Sequence, residues 1–362
     1  MLTEKEMIEK IAEGNLALPP LTIRLLKNKP ASENNLFNII EVEWQGKNTK
    51  FAVELKAIST PKAFQTALNQ LKLMSLPKGY GLMLVMPFLN DNQLHELEKN
   101  GVSGIDLCGN GVVIAPGTFA VFRNGSKNRF PASALIKNIY RKNSSMVSRA
   151  FLVRPFYNTV QEICEEVNKR NMLIPSWNKT PMSLSTVSKA LKTLEEDLMI
   201  SREDAICLLQ PDKLLDKLSE YYSPVVIKKA IRLKLMVENE SITQTLWKLS
   251  QQAGLPLVAT GTSSVSQYAV MQRGDMLSLY CPRIEKLAEM LPGSQSDRFP
   301  NLELIETEDE TVFFDAREQK NFRWASPIQV YLELIAGDKR DRETAEQLKA
   351  LILTNVSNRK SG

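Results

Sequence analysis

Apolar and polar positions recur along this chain with two different periods, and the periods predict three stretches of structure. In the first, residues 2–13 carry apolar positions at helical spacing. Pro19-Pro20 and a Lys-rich segment ending at Pro30 read as a turn. Two apolar runs, 37–44 and 50–57, flank Gln45-Gly46-Lys47-Asn48, a polar turn that predicts a β-hairpin. Thr60-Pro61 opens a predicted helix over 61–74, followed by an apolar strand at 81–88, a helix at 92–99 and a final strand near 111–115.

The second stretch is helical, with helices predicted at 144–153, 159–169 and 183–198 and a short hairpin at 199–201 and 206–209. In the third helix Val187, Leu191, Leu194 and Leu198 form one buried stripe, with Ser183 as the N-cap. The 100° step per residue then puts Ser185, Ser188, Lys189, Lys192 and Thr193 on the opposite face. Small hydroxyls and cations without an acid suit a helix entering a DNA major groove. The third stretch reads as a second α/β unit. It offers a long helix from Pro224 to about Val237, a helix at 247–252, strands near 257–260 and 276–281, and helices at 263–271 and 282–290. Strands near 302–305 and 311–314 and helices at 327–334 and 342–353 complete it. The domains expected are therefore 1–130, 131–222 and 223–362.

Composition narrows the classes of function. The 362 residues are 43% hydrophobic and 24% charged, enough for more than one buried core. No apolar run reaches the roughly 18 to 20 residues of a membrane span, and the first residues lack the apolar core of a signal peptide, so a cytoplasmic protein is expected. Cys108, Cys164, Cys207 and Cys281 are scattered and His95 stands alone, which argues against zinc sites, disulfides and Ser-His or Cys-His hydrolysis.

The net charge of +5 is unevenly distributed. Residues 1–106 carry 12 basic and 12 acidic side chains and residues 223–362 carry 18 of each, whereas residues 107–222 carry 16 and 11. Residues 107–161 hold no acid and eight bases: Arg123, Lys127, Arg129, Lys137, Arg141, Lys142, Arg149 and Arg154. Such a run predicts contact with a polyanion. Arg141, Lys142 and Arg149 flank the first helix of the helical stretch and are the expected phosphate contacts.

Two places invite a search for catalysis. The order of elements in the first stretch is compatible with a restriction-endonuclease-like core, and Glu54-Leu55-Lys56 is an ExK at a strand end, with Glu9 on a preceding helix and Gln65 or Gln70 on the following one. A nuclease of the PD-(D/E)XK kind needs two acids for magnesium and a lysine to orient water. The acid expected on the previous strand is replaced by Asn38, with Glu41 and Glu43 usable only in a shifted register, so an inactive domain with no metal or other cofactor is the expectation. In the last stretch Thr260-Gly261-Thr262-Ser263-Ser264 has the look of a phosphate-receiving turn. The next strand, 274–280, lacks the acid pair that nucleotidyl transfer requires.

Three helices with a hairpin after a serine-rich third helix resemble a winged helix-turn-helix domain. Together with the ExK unit, the segment Gly101-Val102-Ser103-Gly104-Ile105-Asp106-Leu107-Cys108-Gly109-Asn110, the Thr260-Gly261 turn and Ser326-Pro327-Ile328-Gln329-Val330-Tyr331-Leu332-Glu333-Leu334, the chain resembles the AbiEi-like antitoxins of type IV abortive-infection toxin-antitoxin systems, in a form with a restriction-endonuclease-like N-terminal region. The resemblance implies an autorepressor that binds double-stranded DNA and counters a nucleotidyltransferase-like toxin, with the C-terminal α/β part as the neutralising domain. The alternative is a magnesium-dependent nuclease guided to DNA by its winged helix.

Overall fold

The computed structural model describes residues 2–26, 38–74, 76, 79–130, 138–171, 181–236, 239–270, 276–291, 293–295 and 298–360. It is a mixed α/β, multi-domain chain that divides into two compact units, 1–134 and 135–362. Lys137, residues 172–180 ahead of the third helix of the helical stretch, and Gly274-Asp275 lie outside the described residues.

In the first unit, α1 (Glu4–Ala12) begins with a capping box. Thr3 Oγ1 accepts from the Glu6 amide, and the Glu6 carboxylate accepts from the Thr3 amide. The sheet runs in chain order: β1 (Thr22–Leu26), β2 (Asn38–Trp44), β3 (Lys47–Leu55), β4 (Tyr80–Met86), β5 (Ser103–Asp106), β6 (Gly111–Ala115) and β7 (Phe119–Arg123). Neighbours are antiparallel except β3–β4 and β4–β5, which are parallel and joined through the crossover helices α2 (Pro61–Lys72) and α3 (Asp91–Lys99). Alternate strand positions feed two cores. Phe51, Val53, Leu55, Met83 and Val85 pack with Met7 and Ile11 of α1, while Leu84 and Met86 pack with Phe64, Leu68, Leu94 and Leu97 of α2 and α3. The result is an α/β/α sandwich.

Three of these strands do not stand out in the sequence. β1 falls inside the segment read as a turn, because five residues with alternating exposure and an arginine form an edge strand with a weak apolar signal. β5 and β7 are short, and β5 is buried at all four positions despite containing Ser103, Gly104 and Asp106.

The second unit opens with α4 (Ser145–Val153), β8 (Phe156–Tyr157), α5 (Val160–Arg170), α6 (Leu184–Glu196), β9 (Ile200–Arg202), β10 (Ile206–Leu208) and α7 (Pro211–Glu220). The three strands form an antiparallel sheet in the order β8-β10-β9. The chain continues through β11 (Lys229–Leu235), α8 (Asn239–Ala253), β12 (Val258–Ala259), α9 (Gly261–Ser264), β13 (Leu277–Cys281), α10 (Ile284–Ala288), β14 (Gly293–Gln295), β15 (Leu302–Glu306), β16 (Arg317–Gln319), β17 (Phe322–Trp324), α11 (Pro327–Ile335) and α12 (Lys339–Lys360). Seven of its strands form one sheet in the order β14-β11-β15-β13-β12-β17-β16.

Several expectations for this region change. The long helix expected from Pro224 is instead strand β11, whose Ile231, Leu233 and Leu235 alternate with Arg232 and Lys234 and whose residues pair antiparallel with β15. The strand expected at 311–314 is a 3₁₀ turn, Glu310–Phe313, and β16–β17 form the hairpin after it. The helix expected at 263–271 shortens to α9 and a 3₁₀ turn at Val265–Gln267. Residues 135–222 and 223–362 share one apolar cluster, in which Met146, Phe151, Leu191 and Leu215 meet Phe314, Tyr331, Leu348 and Val356. No described helix is long and apolar enough to cross a membrane.

Candidate nucleic-acid interface

Helix α6 has the two faces its sequence predicts. Val187, Ala190, Leu191 and Leu194 are buried against α4 and α5, and Ser183 caps the helix by accepting from the Thr186 amide at 3.2 Å. On the outer face Ser185, Lys189 and Lys192 are exposed and Ser188 is half-buried, a stripe at i, i+3, i+4 and i+7 along about 20 Å of helix. Neither lysine makes an ion pair among the described residues. The hairpin between β9 and β10 carries exposed Glu203 and Asp204, with Arg202 3.8 Å from Glu195 of α6.

Ahead of α4, Arg141 and Lys142 are exposed where the 3₁₀ turn Lys142–Ser144 leads into the helix. Arg149 is different. It is only 3% exposed, and its Nη1 donates to the Thr311 carbonyl at 3.2 Å and to Gln329 Oε1 at 2.8 Å. Burial lowers its pKa, and its Nε has no hydrogen-bond partner. The expected phosphate contact is therefore an internal cation that ties α4 to α11 and to the turn before β16. The absence of nearby acids in sequence concealed this, because its partners lie more than 160 residues downstream. Arg123, Lys127 and Arg129 are exposed in the first unit, and Arg154 lies over the Tyr157 ring at 4.7 Å.

Beyond Arg149 the same network closes the Thr260-Gly261 turn. Gln329 Nε2 donates to Glu333 Oε1 at 2.8 Å, and the Gly261 amide donates to Glu333 Oε2 at 2.7 Å. A Cβ at position 261 would sit 2.7 Å from that carboxylate oxygen, so the approach requires glycine. Burial pushes the Glu333 carboxyl above the usual carboxylate range. The amide that would receive a phosphate at this turn is thus already engaged by a side chain.

In the first unit Glu54 and Lys56 come together, with Lys56 Nζ 2.7 Å from Glu54 Oε1 and both side chains one-fifth exposed. The acids needed around them do not converge. Glu54 pairs in register with Leu84, on the face covered by α2 and α3, whereas α1, with exposed Glu9, covers the other face. Asn38 is opposite Val53 and so projects away from the Glu54 face, correcting its expected place across from Glu54. Glu41 shares the Glu54 face but pairs with Lys50, four positions along β3, about 13 Å away. Gln65 donates to Glu96 at 2.7 Å and Gln70 is exposed. Among the described residues no three acids, histidines or cysteines gather as a metal site.

The comparisons with known proteins bear on the second unit. Residues 207–353 match the family model described as "Transcriptional regulator, AbiEi antitoxin, Type IV TA system". The match covers less than half of the chain, from β10 through most of α12, and includes Glu333 and the Gly261 turn. This segment is similar to AbiEi-type antitoxins. No curated protein and no solved structure matches the chain.

One consequence concerns catalysis. Purified protein is expected to leave supercoiled plasmid intact in magnesium and in manganese, the latter being the more tolerant of poor ligand sets. The double substitution Glu54→Gln with Lys56→Met is expected to behave identically. Cleavage by the wild type that vanishes in the double variant would reverse this expectation.

Proposed function

We propose that this protein is a DNA-binding transcriptional regulator that represses its own operon and serves as the antitoxin of a type IV toxin-antitoxin system. The observation that carries the reading is the family match over residues 207–353, which adjoins the helical segment bearing the exposed Lys189–Lys192 face. In this reading α4, α5, α6 and the three short strands act as a winged helix. Ser185, Ser188, Lys189 and Lys192 enter the major groove of double-stranded DNA, and Arg141 and Lys142 hold the backbone. The order of three helices with a strand between the first two, followed by a two-stranded hairpin, supports it. The toxin partner is a nucleotidyltransferase-like protein. The first unit is a restriction-endonuclease-like scaffold without nuclease activity, a reading supported by the strand order 1-2-3-4-5 with β2 reversed and by the scattered acids.

The test is a mobility shift on the promoter fragment upstream of the gene, with a scrambled fragment as the control. Wild-type protein is expected to retard the promoter fragment at lower concentration. Charge reversal at Arg141 and Lys142 is expected to weaken binding to both fragments alike, since phosphate contacts position a protein without reading sequence. Loss of promoter binding alone would remove these two residues from the backbone-contact role, and equal retardation of both fragments by the wild type would overturn the regulator.

A further inference from the structure

Within the second unit a cavity of about 430 Å³ opens where the ends of α4 and α5 meet the turn before β16 and the last turns of α12. Four guanidinium groups line it, from Arg154, Arg170, Arg317 and Arg359, against two carboxylates, from Glu166 and Asp315. The hydrogen bonds are unequally shared. Arg170 engages both acids, with Nε 2.9 Å from Glu166 Oε1 and Nη1 on Asp315 Oδ1. Arg359 donates to the Val153 carbonyl, and Arg154 reaches only Glu162, at 3.5 Å. Arg317 makes no side-chain hydrogen bond or ion pair among the described residues, though its charge acts on Asp315. The pocket therefore holds an excess of two positive charges whose donors are largely unspent.

A second observation narrows the occupant. The Asp315 side chain is only 10% exposed, and its Oδ2 is buried without any hydrogen-bond partner. A buried carboxylate oxygen in that state is costly unless a donor reaches it. An occupant that satisfies the pocket must present several acceptor oxygens to arginines and one hydroxyl to Asp315. Fully ionised oxyanions such as sulfate have no such hydroxyl, and neither does the phosphodiester of DNA. A phosphate group that keeps one proton has both.

We propose that this pocket binds a monoprotonated phosphate group, either as the free ion or as the end of a small phosphate monoester. Arg317, Arg359 and Arg154 donate to its oxygens, and its P–OH donates to Asp315 Oδ2. Charge-assisted bonds from planar guanidinium forks supply the affinity. The carboxylate supplies discrimination, because it repels an anion that brings no proton.

Calorimetric titration of the full chain tests this at pH 6.5 and constant ionic strength, with inorganic phosphate, glycerol phosphate and sulfate as probes. A monoester with a second pKa of about 6 retains part of its protonated form there. Phosphate or glycerol phosphate is expected to saturate one site, and the tighter of the two identifies the free ion or the monoester as the source. Sulfate is expected to bind at least about tenfold more weakly, and Arg317→Gln to weaken the preferred probe by about tenfold or more. Asp315→Asn is expected to shrink the preference for phosphate over sulfate to about threefold or less, since an amide donates to an unprotonated oxyanion. Should that variant fail to fold for want of the Arg170 partner, the sulfate comparison and Arg317→Gln decide alone. Sulfate binding equal to phosphate, unchanged affinity in Arg317→Gln, or no saturable binding of either phosphate probe would overturn the proposal.

Discussion

Changing both Lys189 and Lys192 to Ala is expected to weaken binding to the promoter fragment by about 1 to 3 kcal/mol and to flatten the dependence of log affinity on log salt by about 0.9 for each phosphate no longer neutralised. Both lysines are exposed and belong to the outer face of α6, so the substitution leaves Val187, Leu191 and Leu194 in their core. Alanine also preserves helix propensity, which makes a folding explanation of weaker binding checkable by thermal unfolding. Titrations at several salt concentrations separate base reading from phosphate neutralisation, because removing a base contact lowers affinity without changing the slope. An unchanged affinity and slope would take α6 out of the interface.

Arg149→Met is expected to act in the opposite way, lowering stability and leaving the affinity of the folded protein for DNA intact. The substitution leaves the Thr311 carbonyl and Gln329 Oε1 without their donor and removes a cation that acts on the raised Glu333 carboxyl. Removing one partner from a buried charged network costs about 3 kcal/mol or more. For a unit of this size that corresponds to a fall in Tm of roughly 6 to 12 °C. Calorimetry of the full chain reads the unfolding of the second unit, and mobility shifts below the new Tm read DNA affinity. A stable variant that no longer binds DNA would return Arg149 to the interface.

The contrast between these residues shows what a sequence discloses. The two faces of α6 were legible because helical geometry converts local spacing into direction, and Ser183 was legible as a cap because its partner is three residues away. The β2–β3 hairpin and the apolar strand β4 were legible for the same local reason. Arg149 was not, since whether a cation faces water or a glutamine 180 residues later is decided by tertiary packing. Strand β11 illustrates the matching failure for an element. Its lysines and alanine favour helix locally, and the register with β15 overrides them. In the first unit the pairing of Asn38 with Val53 was likewise a matter of register, and a shift of one residue exchanges the faces of a strand.

The apolar cluster that runs from Ile139 to Val356 gives the second unit one further property. Its members come from α4, α5 and α6 on one side and from α11 and α12 on the other, so neither set can lose its packing while the other keeps a closed interior. Residues 135–362 therefore open as one cooperative unit, and a protease that captures the opened C-terminal helix also captures the DNA-reading helices. Degradation then silences every role of this unit at the same moment, leaving no fragment that occupies DNA after its C-terminal half is gone.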